Sequence, residues 1–510
     1  MKRRPLLRLP ALPACISAVV LLVSSSAQAQ NYQVLDEQLD AQGEGYTVVR
    51  VWGSHHEIGF AIGVAFAQEI VSTSDEVRAL AGSNYDLLRS AMGFVTWVPD
   101  GIEHEFEGLA DGVQSVLPAA AVDAVDMMIL NTYGDWAYPP ACRSHSCWGS
   151  RTEAPYSTIS TRRLDFGSPF AAMHHHVLYA VQPSDGSARW VNMAWPGFVS
   201  VVTGVNRHGT LVSLHDFNST VSAQPGVVSR SMATRQLVSA VPSTPVADHL
   251  AWAQQRLASY DVATGTFINF YAPDGHGGVF TCAAGQSCTG PREPQNAYLG
   301  GEVLITTNSQ TDGLSTPYGA EFLNAYYAQP SPKSPESHFD VMVADELHML
   351  TVGFRGPGDM RLLAHGRTST GWTPRIDVEW SSLFTSAPAD AGVDGAVGDA
   401  ATEPDGATQP DAMIAPDADL DAGLDAAGPD AAGPDAAGPD AAGPDAGEAA
   451  SPGGSDAGPP VSGAGSGADE DGCGCSVPGR VAGAETWWLL AGSLLGLGRL
   501  RVRRASRPAA

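Results

Sequence analysis

Cysteine is scarce in this sequence. Seven in 510 residues are too few for a disulfide scaffold. The fold must therefore rest on an apolar core, which the 44% of hydrophobic residues can supply. Positive charge is scarce as well, with 28 Lys and Arg against 55 Asp and Glu. The globular region carries no basic stripe, which argues against a nucleic-acid partner. Between residues 385 and 471, Lys, Arg and aromatics are missing altogether. That stretch holds 19 acidic residues from Asp390 to Asp471, so the net charge of −27 belongs mostly to a tail and the rest is only mildly acidic. Its composition is Ala, Asp, Gly and Pro, and Ala-Ala-Gly-Pro-Asp recurs between Asp425 and Asp445. Such a segment cannot bury enough apolar surface to offset its ordering entropy. Proline and like charges keep it extended, as a spacer rather than a solenoid.

Both ends carry targeting signals. Arg3, Arg4 and Arg8 precede an apolar run from Ile16 to Val23, and Ala27-Gln28-Ala29 follows. This is the pattern of a signal peptide over residues 1–29. Export places the mature chain where disulfides are permitted. At the other end, Cys473 and Cys475 precede a mostly apolar stretch from Val481 to Gly498, then Arg499, Arg501, Arg503 and Arg504. The stretch is about long enough to span a bilayer, and the arginines favour a cytoplasmic end. A paired cysteine, an apolar helix with Trp487-Trp488 and an arginine cluster together resemble the myxobacterial C-terminal sorting tail over residues 472–510. That resemblance implies a sorting protease acting near Cys473 or Cys475 and a location on the cell envelope or outer surface. An ordinary single-pass membrane anchor is the plainer alternative.

Residues 30–384 have the mixture expected of a globular region. Glu57 to Thr73 repeats apolar residues at helical spacing, with Gly59 and Gly63 open to close packing. Val113 to Thr132 suggests one or two buried helices. After Cys142, short strands are expected at Thr158–Ile159, Val177–Gln182, Trp190–Ala194, Leu211–Leu214, Phe267–Tyr271 and Val303–Thr307. Helices are expected at Ser231–Ala240 and Pro245–Tyr260. Grouped rather than alternating elements favour α+β with antiparallel sheets.

The motifs around Cys142 narrow the reading. Ala141 to Phe166 reads ACRSHSCWGSRTEAPYSTISTRRLDF. A cysteine, a Trp148-Gly149 pair and an Arg162-Arg163-Leu164-Asp165-Phe166 run resemble the start of the mature chain in N-terminal-nucleophile cysteine hydrolases of the isopenicillin N acyltransferase and choloylglycine hydrolase type. Gly53-Ser54-His55-His56-Glu57-Ile58-Gly59 resembles that family's pro-segment motif. Trp195-Pro196-Gly197, Gly204-Val205-Asn206-Arg207-His208-Gly209 and Thr306-Thr307-Asn308 resemble three further motifs, in the right order. The resemblance implies an αββα sandwich, with residues 30–141 as a helical pro-segment and 142–384 as the catalytic region.

It also implies chemistry. A thiol is a weak nucleophile until a base takes its proton. In this family the base is the α-amine of the same cysteine, released by cleavage of the bond between Ala141 and Cys142. Cys142 would then form a thioester from a small N-acyl substrate and pass the acyl group to water or an amine, with no cofactor and no metal. Arg162 would lower the thiol pKa and Asp165 would hold the α-amine. Asn308 would supply an oxyanion or positioning donor, and Asn206 would stand near the substrate. His215 or Asp216 occupies the place of another asparagine. Arg163 and Ser309 depart from the family pattern.

Three questions stay open on sequence alone. A Cys142–Cys147 disulfide would remove the nucleophile, whereas Cys282 and Cys288 are close enough in sequence to pair with each other, a loop closure of about 2–3 kcal/mol. His174-His175-His176 cannot converge on one ion from a strand, because neighbours point to opposite faces. The motif set also fits a surface binding module that has lost catalysis, or a phospholipase B-like esterase.

Overall fold

The computed structural model describes residues 31–99, 101–135, 141–165, 170–222, 224–292, 301–308, 324–341 and 347–384. The segments expected to be a signal peptide, a spacer and a sorting tail with its apolar stretch 481–498, together with Ser309, lie outside the described residues. Among the described residues, no helix is long and apolar enough to cross a membrane.

Val48, Val49 and Val51 belong to a strand buried on both faces, β2 (Gly45–Gly53). It pairs antiparallel with the preceding strand, β1 (Tyr32–Leu39), and parallel with β5 (His175–Pro183). Burial on both faces erases the polar–apolar alternation that marks a half-exposed strand. That is why Gly45–Gly53 does not read as a strand, and the part before Cys142 is not wholly helical as expected. The parallel β2–β5 pair is likewise an exception to the expected antiparallel order.

The larger sheet has nine strands in the order β1-β2-β5-β6-β7-β8-β9-β10-β11. Its later members are β6 (Trp190–Ala194), β7 (Thr203–Asn206), β8 (Leu211–Val221), β9 (Thr264–Tyr271), β10 (Gly278–Cys282) and β11 (Thr289–Arg292). The smaller sheet runs β12-β3-β4-β13-β14-β15, with β16 beside β14. These strands are β3 (Ala141–Trp148), β4 (Thr158–Asp165), β12 (Val303–Thr307), β13 (His348–Gly356), β14 (Asp359–Thr368), β15 (Gly371–Trp372) and β16 (Ile376–Glu379). The strand expected at Thr158–Ile159 therefore extends through the Arg162–Asp165 motif.

Helices cover the outer face of the larger sheet: α1 (His55–Ala65), α2 (Ala67–Ala81), α3 (Tyr85–Val95), α4 (Ile102–Val116), α5 (Ala124–Thr132), α6 (Arg230–Ser239) and α7 (His249–Leu257). The helix expected over Glu57–Thr73 breaks at Phe66 into α1 and α2. Val49, Val51, Val177 and Tyr179 join these helices in one core, while their neighbours Val48, Leu178 and Ala180 join Leu350, Val352 and Leu362 between the sheets. The outer face of the smaller sheet is closed by residues 324–341, including α8 (Pro335–Phe339), through Tyr326, Phe339 and Val341. The layers thus run helices, sheet, sheet, thin helical cover, a mixed α/β fold consistent with the N-terminal-nucleophile type.

Two sequence motifs have local structural jobs. Ser54 and Glu57 form a reciprocal capping box that starts α1. A Cβ at Gly59 or Gly63 would collide with the Glu105 or Leu109 carbonyl of α4, and one at Gly108 or Gly112 would collide with α1 in return. These glycines let two helix backbones touch, and so tie the pro-segment motif into the core.

Candidate active site

β3 and β4 pair so that Ala141 faces Asp165, Cys142 faces Leu164 and Ser144 faces Arg162. Side chains alternate faces along a strand. Cys142, Ser144, Arg162 and Leu164 therefore point toward the larger sheet, and Arg143, Arg163 and Asp165 point away from it. On the inner side, Arg162 Nη2 donates to Cys142 Sγ at 2.8 Å and to the Leu214 carbonyl at 2.7 Å. Both side chains are buried. Burial pushes the Cys142 thiol up to about 11, with Arg162 pulling it down and Asp165 pushing it further up. The Arg162 guanidinium is itself lowered by burial, and the neighbouring Cys142 and Asp165 partly restore it.

The other residues singled out by sequence lie in four different surroundings. Asn308 follows Thr307, which faces Arg143 across the β12–β3 ladder; the same register sets Asn308 opposite Cys142. Asp165 lies across the sheet from Sγ, and Arg143 Nε and Nη2 hold its Oδ2 at 3.1 and 2.8 Å. His215 and Asp216 separate onto the two faces of β8. His215 Nε2 meets Ser144 Oγ at 2.7 Å between the sheets, and burial, then Arg162, holds its pKa well below the usual histidine range. Asp216 turns toward the helices, where Arg230 Nη1 grips it. Asn206 is not brought to Cys142. Its Oδ1 accepts from the amides of His208 and Thr210 at 3.0 and 3.3 Å, so this carboxamide shapes the β7–β8 turn, a common use of asparagine.

Sequence reasoning missed Arg230 and Asp135. Arg230 Nε lies 3.0 Å from Asp135 Oδ1, and Nη2 donates to the Gly134 carbonyl at 2.5 Å. Burial raises the Asp135 carboxyl, against the pull of Arg230. No local signal marks this cluster: its members come from residues 135, 216 and 230.

A mostly apolar cavity of about 30 Å³ lies within the core cluster that includes Cys142. Leu164, the residue facing Cys142, and Leu214, whose carbonyl holds Arg162, form one wall. Trp195 and Phe198 form the floor, and Arg230 and Asp135 line its polar side.

Cys142 and Cys147 are both free. Five residues apart on one strand, they lie on opposite faces about 17 Å apart, so no disulfide joins them. Cys282 and Cys288 are disulfide-bonded to each other. His175 points toward the helices at Thr47 Oγ1 and His176 toward the smaller sheet at the Arg367 carbonyl, as strand alternation requires. Among the described residues, no three His, Cys, Asp or Glu side chains form a metal-binding group.

No protein-family model matches the chain, and neither does any curated protein. Among solved structures, the N-acylethanolamine-hydrolyzing acid amidase ortholog of Caenorhabditis elegans is similar at 13% identity and a TM-score of 0.34, covering 42% of this chain and 94% of that one.

Proposed function

We propose that this chain is a self-processing cysteine amidase, or acyltransferase, with Cys142 as nucleophile and a small N-acyl amide as substrate. The observation that carries the reading is the Arg162 guanidinium 2.8 Å from the buried Cys142 Sγ, one side chain from an apolar cavity. A fixed cation favours the thiolate, and water exclusion strengthens its effect. In processing, Sγ attacks the Ala141 carbonyl. The Sγ–C bond forms, the C–N bond breaks, and the thiol proton ends on the Cys142 nitrogen. Water then hydrolyses the thioester, leaving an Ala141 carboxylate and a free α-amine. That amine, of unperturbed pKa about 8, serves as base when Cys142 attacks a substrate amide. Asn308, opposite Cys142, would donate to the oxyanion. The same reading takes the chain as exported and held at the envelope through its C-terminal segment.

One observation favours a second reading, a binding module that keeps the fold and has lost catalysis. Asp165, which would hold the α-amine, is engaged by Arg143 on the face away from Sγ. Intact mass and N-terminal sequencing of the purified chain, beside Cys142→Ala, decide between them. A new N-terminus at Cys142, absent in the variant, supports the enzyme. A single uncut chain in both sinks it.

A further inference from the structure

The cavity in the Cys142 core cluster has a floor that is built rather than loosely packed. The Trp195 and Phe198 rings are tilted against each other with centroids 4.5 Å apart, and Tyr133 stands 6.2 Å from Trp195. The backbone that carries them, residues 195–200, is held by four buried side chains. Asn131 donates to the Gly197 carbonyl at 3.0 Å and accepts from the amides of Val199 and Ser200 at 2.8 and 2.9 Å. Tyr179 OH donates to the Trp195 carbonyl and accepts from the Gly197 amide, both at 3.2 Å. Asn192 donates to the Phe198 and Ser200 carbonyls at 3.3 and 2.9 Å. Arg235 donates to the Val199 carbonyl at 2.7 Å.

Two consequences follow. Receding by one carbon layer would break several buried hydrogen bonds together, each leaving an unpaired group that costs about 1–3 kcal/mol. Gly197, at φ +76°, also backs onto Ile70, whose Cγ1 would lie 2.7 Å from any added Cβ, so the loop has no slack behind it. The floor therefore fixes the depth. A cavity needs about 10–15 Å³ to hold one water, so about 30 Å³ is room for about two water-sized groups.

We propose that the Trp195–Ser200 loop makes this site selective for short acyl groups, of two to four carbons, and that Phe198 and Val202 set the limit. The inference rests on Cys142 being the nucleophile. It goes beyond that reading by naming the acyl class: acetyl to butyryl, rather than a fatty or other bulky acyl chain.

The test is acylation of Cys142 in the full chain by a series of p-nitrophenyl esters, acetate, butyrate, octanoate and decanoate, followed by mass spectrometry. In each reaction Sγ–C forms, the ester C–O bond breaks, p-nitrophenolate leaves with the electron pair, and the thiol proton passes to the α-amine or water. Acetate and butyrate are expected to acylate at least tenfold faster than decanoate. Phe198→Ala, with Val202→Ala as a milder second variant, is expected to raise the octanoate rate relative to acetate. Decanoate reacting as fast as butyrate in the wild-type chain overturns the short-acyl inference and leaves Cys142 as the nucleophile. The absence of any Cys142 adduct across the series overturns the nucleophile itself, and this inference with it.

Discussion

One strand presents two cysteines to two different environments. Cys142 and Cys147 both lie in β3, both are buried, and neither is disulfide-bonded. Burial pushes both thiols up, to about 11 for Cys142 and about 12 for Cys147. Burial therefore does not distinguish them, and their neighbours do. Cys142 receives a hydrogen bond from Arg162 and belongs to the core cluster that holds the mostly apolar cavity. Cys147 sits in a cluster with Ile159, Val303, Ile305 and Tyr326. Its nearby cation, Lys333, is spent on the Tyr326 and Gln329 carbonyls at 2.7 and 2.9 Å. A buried thiol without a directed cation is inert. The comparison suggests that reactivity here is a matter of a donor aimed at sulfur and space for a reactant.

The strongest way to break the comparison is to remove each sulfur in turn. Cys142→Ala should abolish processing and acylation, below about 10⁻³ of the wild-type rate. Cys147→Ala should process normally and lose only about 1 kcal/mol of stability, read as a melting shift of a few degrees. If Cys147→Ala also stops processing, the two faces are not independent and the assignment fails. The next largest effect concerns Arg162. Arg162→Gln removes the directed cation, so alkylation of Cys142 by iodoacetamide at pH 8 should slow at least tenfold, with Cys147 unaffected. An unchanged rate would mean that Arg162 is a structural tie to Leu214 and no more.

Part of the candidate site's arrangement is legible in the sequence, and the reasons for the rest are physical. Cys142 and Arg162 are twenty residues apart on one β-hairpin, so a linear motif can carry both. The separation of Arg162 and Asp165 onto opposite faces follows from their odd spacing, but only once β4 is known to reach Asp165. A strand taken to end at Ile159 hides it. Strands β6 and β12 match their sequence expectation because turn residues bracket them. Strand β2 does not, since burial on both faces leaves no period to read. Arg230 and Asp135 belong to the site through topology alone: they lie on opposite sides of the proposed cut and meet beside the cavity. The Trp195-Pro196-Gly197 motif was visible, whereas its place beneath the cavity required the sheet order.

Acid should weaken both faces of the smaller sheet. His215 lies on the Cys142 side, and His145 and His338 on the Cys147 side. His176 lies between the sheets. Burial lowers all four, His176 to about 4 and the others well below the ordinary value. A histidine with a lowered folded pKa takes up its proton more readily in the unfolded chain. Its contribution to stability is thus present above about pH 6.5 and is lost as pH falls toward the folded value. Urea midpoints at pH 7.5 and 5 should fall sharply with acid. A flat profile would show that these rings titrate normally and that the interior between the sheets is open to water.

The smallest effect sharpens the comparison from the Cys147 side. Lys333 is 3% exposed, burial lowers its ammonium to about 8, and Nζ stands 4.5 Å from the Tyr326 ring centre. Its backbone is also tied to the other end of β3, with its amide donating to the Arg151 carbonyl and its carbonyl accepting from the Glu153 amide, both at 2.7 Å. Lys333→Met keeps the stem against Tyr326 and those backbone bonds. It leaves the Tyr326 and Gln329 carbonyls without the ammonium, at a cost of about 1–3 kcal/mol, offset in part because a buried charge is removed. The cover over Cys147 should loosen, so that Cys147 alkylates several-fold faster in the variant while processing at Cys142 and the acyl-chain preference stay unchanged. The readout is site-resolved alkylation by mass spectrometry. Faster alkylation at Cys142 as well would mean that the outer cover and the inner site open as one unit, and the contrast between the two thiols would then be one of degree.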